Sequence, residues 1–599
     1  MELYLLIVMP IFASLLLFLI PGRVTTWLCT GIYGAILAVT LYLFWRVRFA
    51  GEIISTKSGG SFLGITLYCD RTAAVFLVLV AFIFLCVFVY THSPGQTNKM
   101  FSFLMTVLEG LVMLIFLSRD LFNIYVAVEV ATIVCAILIM YKKESRSIYD
   151  GLVYLLTSMT GMLFFLLGIG MIYRQFGVLD FDGVAAVLAG GTSGSVALPY
   201  ALIMTGVCLK CAIVPMHFWL PLAHGTPSAL SGVSALLSGI YVKSGIYLFV
   251  RVQDLFSPVI RTEEFFFWLG VITSIAGIIM AVCQCDIKLI LAYHTISQLG
   301  LIIAGLSTGS AAAQAGAMLH IINHAMFKSL LFLSAGLLIA AYGTRNVYKI
   351  RGVFRQMPAV GIAVAAGILG ITGAPFFNGS ISKYLLAQGG SLADYAFLVI
   401  NLGTALSFVK FGRMLFGNGR PEHVADSAGA PDTRTADFSG SSAGAASDAG
   451  APAARVSAPV PAVGGAGASA ARVSAPVPAA GDSGAPAAHA SGTSAVSARA
   501  TGVVLLLSLM CLLTGVFAAP MLQLIFEMDL EIGIWGYLKK AVIWGISIFA
   551  AYLVYTKIIS RSARLKAGID FSADFNQMIL CTGASFAVLL VAAHIFTIA

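Results

Sequence analysis

Ionisable side chains inside long apolar runs are the residues of this 599-residue chain that could do chemistry. Each costs about 2.5 to 3.5 kcal/mol at mid-bilayer on insertion scales, so a set of them points to function. Glu129 lies in the middle of DLFNIYVAVEVATIVCAILI, and Glu109 one run earlier. Lys210 closes a later run, Lys243 lies deep in the next, and His294 is two runs further on. The string HIINHAMFK places His320, His324 and Lys328 at i, i+4 and i+8, one stripe of a helix. Lys383 and Lys410 follow in the last two runs of this block. A row of titratable groups that includes imidazoles, whose ordinary pKa is near neutrality, suits stepwise proton transfer. The alternative is that the same groups only bind neighbouring helices together. Burial disfavours a charged lysine and a nearby carboxylate favours it, so Glu129 moving relative to Lys210 would load and unload a proton. A static buried ion pair is the other reading of those two residues.

The elements that must position these groups are helices. Hydrophobic residues make up 59% of the chain and charged residues 10%, where soluble domains carry about 25% charge. Apolar runs recur along almost the whole length, each long enough to cross a hydrocarbon core of about 30 Å. The chain therefore reads as an all-α polytopic membrane protein with about 16 transmembrane helices. The predicted spans are 3–20, 26–45, 72–90, 101–118, 121–141, 151–173, 197–214, 229–250, 265–282, 287–307, 316–341, 359–387, 393–416, 503–522, 535–556 and 575–597. Residues 3–20 lack a basic leader and run into further spans, so no separable signal peptide is expected.

The net charge of +9 comes from bases scattered singly or in short loop clusters, which argues against nucleic acid. Loops after odd-numbered spans, Lys288 among their bases, hold twice the Lys and Arg of loops after even ones. Odd loops are thus expected on the cytoplasmic side, with both termini outside. Residues 418–500 are rich in Ala, Gly, Ser and Pro and repeat AARVSAPVPA, so they read as a disordered cytoplasmic linker. It divides 1–417, a core of about 13 transmembrane helices, from three C-terminal helices in 501–599.

Two spans are predicted to be broken. VPMHFWLPLAHGTP places Pro215, Pro221 and Pro227 just after Lys210, and GITGAPFFNGSISK places Gly373, Pro375 and Gly379 just before Lys383. Proline frees carbonyls, which lipid tolerates only beside a cavity or packed protein. The breaks are five spans apart, fitting two inverted five-helix repeats, spans 4–8 and 9–13. That pairing matches Lys210 to Lys383 and Lys243 to Lys410.

At these residues the chain resembles the antiporter-like proton-translocating membrane subunits of respiratory complex I (NADH-quinone oxidoreductase), membrane-bound hydrogenases and Mrp-type multisubunit sodium/proton antiporters. The resemblance covers roughly 60–417 and rests on DLFNIYVAVEV, KCAIVPMHFWLPLAHGTPSALSGVSALLSGIYVKSGIYLFVR, CDIKLILAYHTISQLG, GAMLHIINHAMFKSLLFLSAG, RGVFRQMP and NGSISK. DLFNIYV, LAYHTISQLG and NLGTALSFVKF resemble the Mrp D-type and hydrogenase subunits most. The resemblance implies two half-channels joined by a central Glu, Lys and His axis. Glu129 corresponds to the family's fifth-helix glutamate, Lys210 to the first broken-helix lysine and Lys243 to the lysine of the next helix. His320, His324 and Lys328 correspond to the central connection, and Lys383 to the terminal residue of the second broken helix. The linker and the three C-terminal spans depart from the usual plan, and Glu109 has no assigned role.

The implied function is a proton-translocating subunit of a larger complex, with sodium exchange left open, in a bacterial-type cytoplasmic membrane. Moving one charge against 100 mV costs about 2.3 kcal/mol. The sequence has no phosphate loop, dinucleotide fingerprint or iron–sulfur cysteine set to supply it. Energy must come from an opposing ion gradient or from partner subunits of an antiporter, hydrogenase or quinone reductase. No cofactor or metal is expected on this chain, and no catalytic site. A redox enzyme would have to build on Cys208 and Cys211 of CLKC and Cys283 and Cys285 of CQC, which lie within or at the ends of apolar helices, where thiols act as small hydrophobes. A stand-alone solute transporter would share the broken helices, but a row of protonatable groups suits a relay better than a single pocket.

Overall fold

The computed structural model describes residues 2–19, 22–58, 65–91, 99–190, 196–225, 229–418, 497–529 and 534–597. Of the predicted linker 418–500, residues 419–496 lie outside the described residues, as does Pro227, and residues 498–500 already belong to the helix that follows. The described residues are mostly helical, because in lipid every backbone donor and acceptor must be satisfied within its own segment. In order, the helices are α1 (Glu2–Leu19), α2 (Gly22–Phe49), α3 (Arg71–Thr91), α4 (Lys99–Leu117), α5 (Leu121–Ile139), α6 (Ser145–Phe176), α7 (Phe181–Ala189), α8 (Ala197–Lys210), α9 (Trp219–Gly225), α10 (Ser231–Leu236), α11 (Val242–Phe256), α12 (Glu263–Val282), α13 (Ile287–Leu306), α14 (Ala311–Tyr342), α15 (Val353–Gln356), α16 (Pro358–Thr372), α17 (Gly379–Leu386) and α18 (Ser391–Gly412). After the linker come α19 (Ala498–Val516), α20 (Ala518–Phe526), α21 (Ile534–Lys557), α22 (Ala563–Ala567) and α23 (Phe575–Ile595).

Among the described residues, 13 helices are long and apolar enough to cross a membrane, with three shorter apolar helices at Glu2–Leu16, Ala197–Lys210 and Pro358–Thr372. The chain is a multi-pass membrane protein. Two of those short helices end where the sequence placed its breaks. A β-hairpin that the apolar pattern did not predict, β1 (Ile54–Ser58) with β2 (Ile65–Cys69), precedes α3.

Local signals set the helix ends. Asp120 caps α5 by accepting from the Asn123 amide at 2.7 Å, and Asp286 caps α13 by accepting from Lys288 and Leu289. Asp286 also pairs with Arg345 at 2.7 Å. At the second break Gly373 takes φ +77°, a conformation that favours glycine, and ends α16. Gly379 restarts the chain as α17 so close to the Gly370 carbonyl that a Cβ would collide with backbone.

Residues before the linker and after it form one compact unit. The last three predicted spans do not trail away from the core: α19 packs on α14 and α16, α21 on α18, and α23 on α6 and α8. The Asn378 amide donates to Cys511 O at 2.9 Å, and the Phe376 amide to the Tyr537 hydroxyl at 2.6 Å, so α19 and α21 both hold the second break. The segment between α22 and α23 crosses the end of α12, where the Ile569 amide donates to Cys283 O at 3.1 Å.

Candidate functional site: a buried polar row between two broken helices

Lys210 is the last residue of α8 and is buried at 4% exposure. Its ammonium donates to Thr132 Oγ1 on α5 at 2.7 Å. Thr132 gives its only proton to Val128 O at 2.6 Å, so it accepts both from Lys210 and from the Tyr241 hydroxyl at 2.9 Å. Glu129 stands three residues before Thr132, on the same face of α5. It is half-buried, its Oε1 has no hydrogen-bond partner, and no ion pair within 4.0 Å joins it to Lys210. The two charges nonetheless act on each other electrostatically. The lysine rests on a hydroxyl, with the carboxylate about one turn away.

The next station begins at a single π-helical turn, Leu237–Tyr241, between α10 and α11. Lys243 follows it, fully buried, and its ammonium lies 2.5 Å from Ser238 O and 2.6 Å from His324 Nδ1. An ammonium only donates, so that imidazole nitrogen accepts. The His320 ring lies 6.5 Å from that of His324, centroid to centroid. His320 Nδ1 is 2.9 Å from Ser382 Oγ, and its Nε2 is 2.9 Å from Gln298 Oε1. Asn323 joins the same group by donating to Asn378 O at 2.6 Å and to Ser382 at 3.2 Å. Lys328 turns aside to Leu291 O at 2.7 Å. It is linked back to Lys243 through Thr295, which bonds both Leu291 O and Ser238 Oγ.

At the second break the Lys383 ammonium donates to Ile371 O at 2.7 Å, a carbonyl in the last turn of α16. Lys410 caps the end of α12 through Ala281 O, Val282 O and Gln284 O at 3.0, 2.8 and 2.6 Å. His294 packs its ring on Phe408 at 4.6 Å, and both its nitrogens lack a hydrogen-bond partner.

Of the residues expected from the sequence, the structure thus groups Glu129 with Lys210, and Lys243 with His320, His324 and, through Thr295, Lys328. Lys383 and Lys410 sit at two further helix ends. Pro215 lies in the irregular stretch between α8 and α9, and Gly373 and Pro375 in that between α16 and α17. The hydroxyl and amide residues that join these groups, Thr132, Tyr241, Ser238, Thr295, Gln298, Asn323 and Ser382, were not read from the sequence. Such residues occur in many apolar helices, where they bond their own backbone, and only a partner from another helix marks them. Lys288, which the sequence places among loop bases, is instead buried and donates to Ala229 O at 2.6 Å. Glu109 is fully buried on α4 with neither oxygen hydrogen-bonded. Cys208 and Cys211 are buried free thiols.

The fold and the row define a polytopic membrane protein with two discontinuous helices and polar side chains running between them. Residues 118–408 match the family described as NADH:quinone oxidoreductase/Mrp antiporter, transmembrane. The N-type subunit of NADH-quinone oxidoreductase from Desulforudis audaxviator is 32% identical over 376 residues, 60% of this chain and 74% of that one. The D-type subunit of the Na(+)/H(+) antiporter from Bacillus subtilis is 28% identical over 333 residues, 55% of this chain and 67% of that one. Among solved structures, the Mrp complex from Dietzia sp. contains a chain of the same fold, with a TM-score of 0.70 at 20% identity over 92% of this chain and 98% of that one. A chain of the membrane-bound sulfane sulfur reductase, an archaeal respiratory complex, has a TM-score of 0.70 at 19% identity, covering 92% and 99%. The chain belongs to the NADH:quinone oxidoreductase/Mrp antiporter membrane family.

Proposed function

We propose that this chain is a proton-translocating subunit of a multisubunit complex in a bacterial-type cytoplasmic membrane. Its path runs from Glu129 and Lys210 through Lys243, His324 and His320 to Lys383 and Lys410, with Lys328 and His294 beside it. The observation that carries this reading is the placement of Lys210 on Thr132, one turn from an unpaired Glu129. At about 4 Å and an effective dielectric near 20, such a pair is worth about 4 kcal/mol. Glu129 is half-exposed, and screening lowers this to about 1 to 2 kcal/mol. Each 1.36 kcal/mol is one unit of proton affinity. Swinging the ammonium between Thr132 and Glu129 would therefore change how firmly it holds its proton, and Lys243 with His324 is the next acceptor pair inward.

Support for inverted repeats comes from the position of the breaks, at the fourth helix of each group of five, in spans 4–8 and 9–13. The excess of bases after odd spans supports a cytoplasmic linker and termini outside. On this reading the chain holds no cofactor or metal, and its partners are other membrane subunits. Likeness to the D-type antiporter protein favours sodium/proton exchange driven by ion gradients. Likeness to the N-type quinone-reductase protein favours the second reading, a pumping subunit of a quinone reductase or hydrogenase. Everted vesicles carrying the whole complex separate them. Sodium-induced collapse of a preformed pH gradient supports exchange, acidification on feeding electron donor supports pumping, and neither response would refute proton translocation.

A further inference from the structure

A cavity of about 610 Å³ opens between α16, α18 and α21, and its wall residue Phe408 also packs against His294. Its walls are aliphatic and aromatic, with Ile368, Phe408 and Ile548 among them. Two hydrogen bonds fix its ends. Trp544 donates to Thr372 at 3.4 Å, beside the Gly373 break, and Arg413 donates to the Tyr555 hydroxyl at 2.9 Å. Trp544 and Tyr555 lie on one helix, so the slot runs about 16 Å along the helix axis at 1.5 Å per residue. That is about half of a hydrocarbon core of roughly 30 Å, the depth of one leaflet.

The Arg413 end is strongly cationic. By sequence, residues 346–357, 411–418 and 556–563 contain Lys and Arg but no Asp or Glu. Neither Arg413 nor Arg351 has a carboxylate within ion-pair distance among the described residues. Arg351 lies in the loop before α15. Burial first, and then the charge of Arg413, pull its guanidinium below the ordinary value. Two neighbouring arginines that repel each other, with no acid between them among the described residues, suit a bound anion. These loops follow odd spans and so face the leaflet where anionic lipids attract basic residues.

We propose that this slot is a binding site for one anionic glycerophospholipid, its phosphate on Arg413 and Arg351 and one acyl chain lying against Ile368, Phe408 and Ile548 toward Thr372. Charge complementarity selects a lipid over a further apolar helix, because a helix would bury the slot and leave both guanidinium groups unpaired. The occupant would fill the space beside the second break and brace α16 against α21. Binding does not depend on the transport reading.

The test uses the whole complex in detergent, titrated with brominated phosphatidylglycerol or brominated phosphatidylcholine, which quench nearby tryptophan fluorescence. Subtracting the Trp544→Phe signal isolates Trp544 from the other tryptophans. Phosphatidylglycerol should half-saturate the Trp544 signal at a concentration at least about fivefold lower than phosphatidylcholine, the factor expected for one arginine near the surface. Arg413→Gln with Arg351→Gln should erase that preference and leave the phosphatidylcholine curve unchanged. Coincident curves in the wild-type complex would reduce the slot to ordinary lipid contact, and quenching by neither lipid would mean that protein fills it. Both overturn the proposal, as does a preference that survives in the double variant. Should that variant fail to assemble, the wild-type comparison decides alone.

Discussion

Thr132→Val replaces a hydroxyl by a methyl of nearly the same shape and removes the acceptor on which the Lys210 ammonium rests at 2.7 Å. A hydrogen bond to a charged group contributes about 1.5 to 3 kcal/mol, and burying the charge without it costs the same order. The Tyr241 hydroxyl, 2.9 Å from Thr132, would lose its partner as well. If proton hand-off requires the ammonium to reach this hydroxyl, the step into that state costs that much more, and the proton flux falls about ten- to a hundredfold. The assay is fluorescence-monitored acidification of vesicles carrying the whole complex, with insertion checked by quantitative blotting. Thr132→Ser keeps the acceptor and should restore most of the flux. Tyr241→Phe, which removes a donor that does not touch Lys210, should cost less. Flux within twofold of wild type in Thr132→Val, with normal insertion, would refute the claim that this hydroxyl is the lysine's resting site. So would failure of Thr132→Ser to rescue.

Two further outcomes follow from geometry and composition. Gly379→Ala would drive a methyl into the Gly370 carbonyl and separate α16 from α17, so thermal stability should drop and transport should be lost with Lys383 displaced. Wild-type melting would show that the break is looser than described. Removing residues 425–495 leaves the compact unit almost whole, so assembly and flux should stay within twofold, and a fully inserted but inactive product would show that the linker does more than tether.

Much of the architecture was legible in the sequence because a lipid environment leaves few choices. Apolar runs of spanning length had to be helices, and the proline- and glycine-rich strings after Lys210 and before Lys383 had to interrupt them. The ionisable members of the row were legible for the same reason, since charge inside an apolar run is conspicuous. Their partners were not. The stripe His320, His324 and Lys328 reads as one ladder, yet each turns to a different neighbour: Ser382 with Gln298, Lys243, and the Leu291 carbonyl. Helical periodicity predicts a shared face and says nothing of which helices meet it. The repeat expected from the sequence pairs Lys410 with Lys243, but Lys410 caps α12 through three carbonyls, a contact more than a hundred residues away in sequence. The paired strands at 54–58 and 65–69 leave no apolar run of spanning length in the sequence, since each has five residues and the first is polar. The return of the last three helices onto both broken helices depends on contacts across the whole chain.

Proton flux through Lys243 tests the account most directly, because its ammonium is hydrogen-bonded to His324 in the middle of the row. Lys243→Met keeps length and packing and removes the proton carrier. Measured in vesicles with confirmed assembly, flux should fall at least tenfold, whichever end drives it. Wild-type flux in this variant would mean that protons cross elsewhere and that the buried row is only structural.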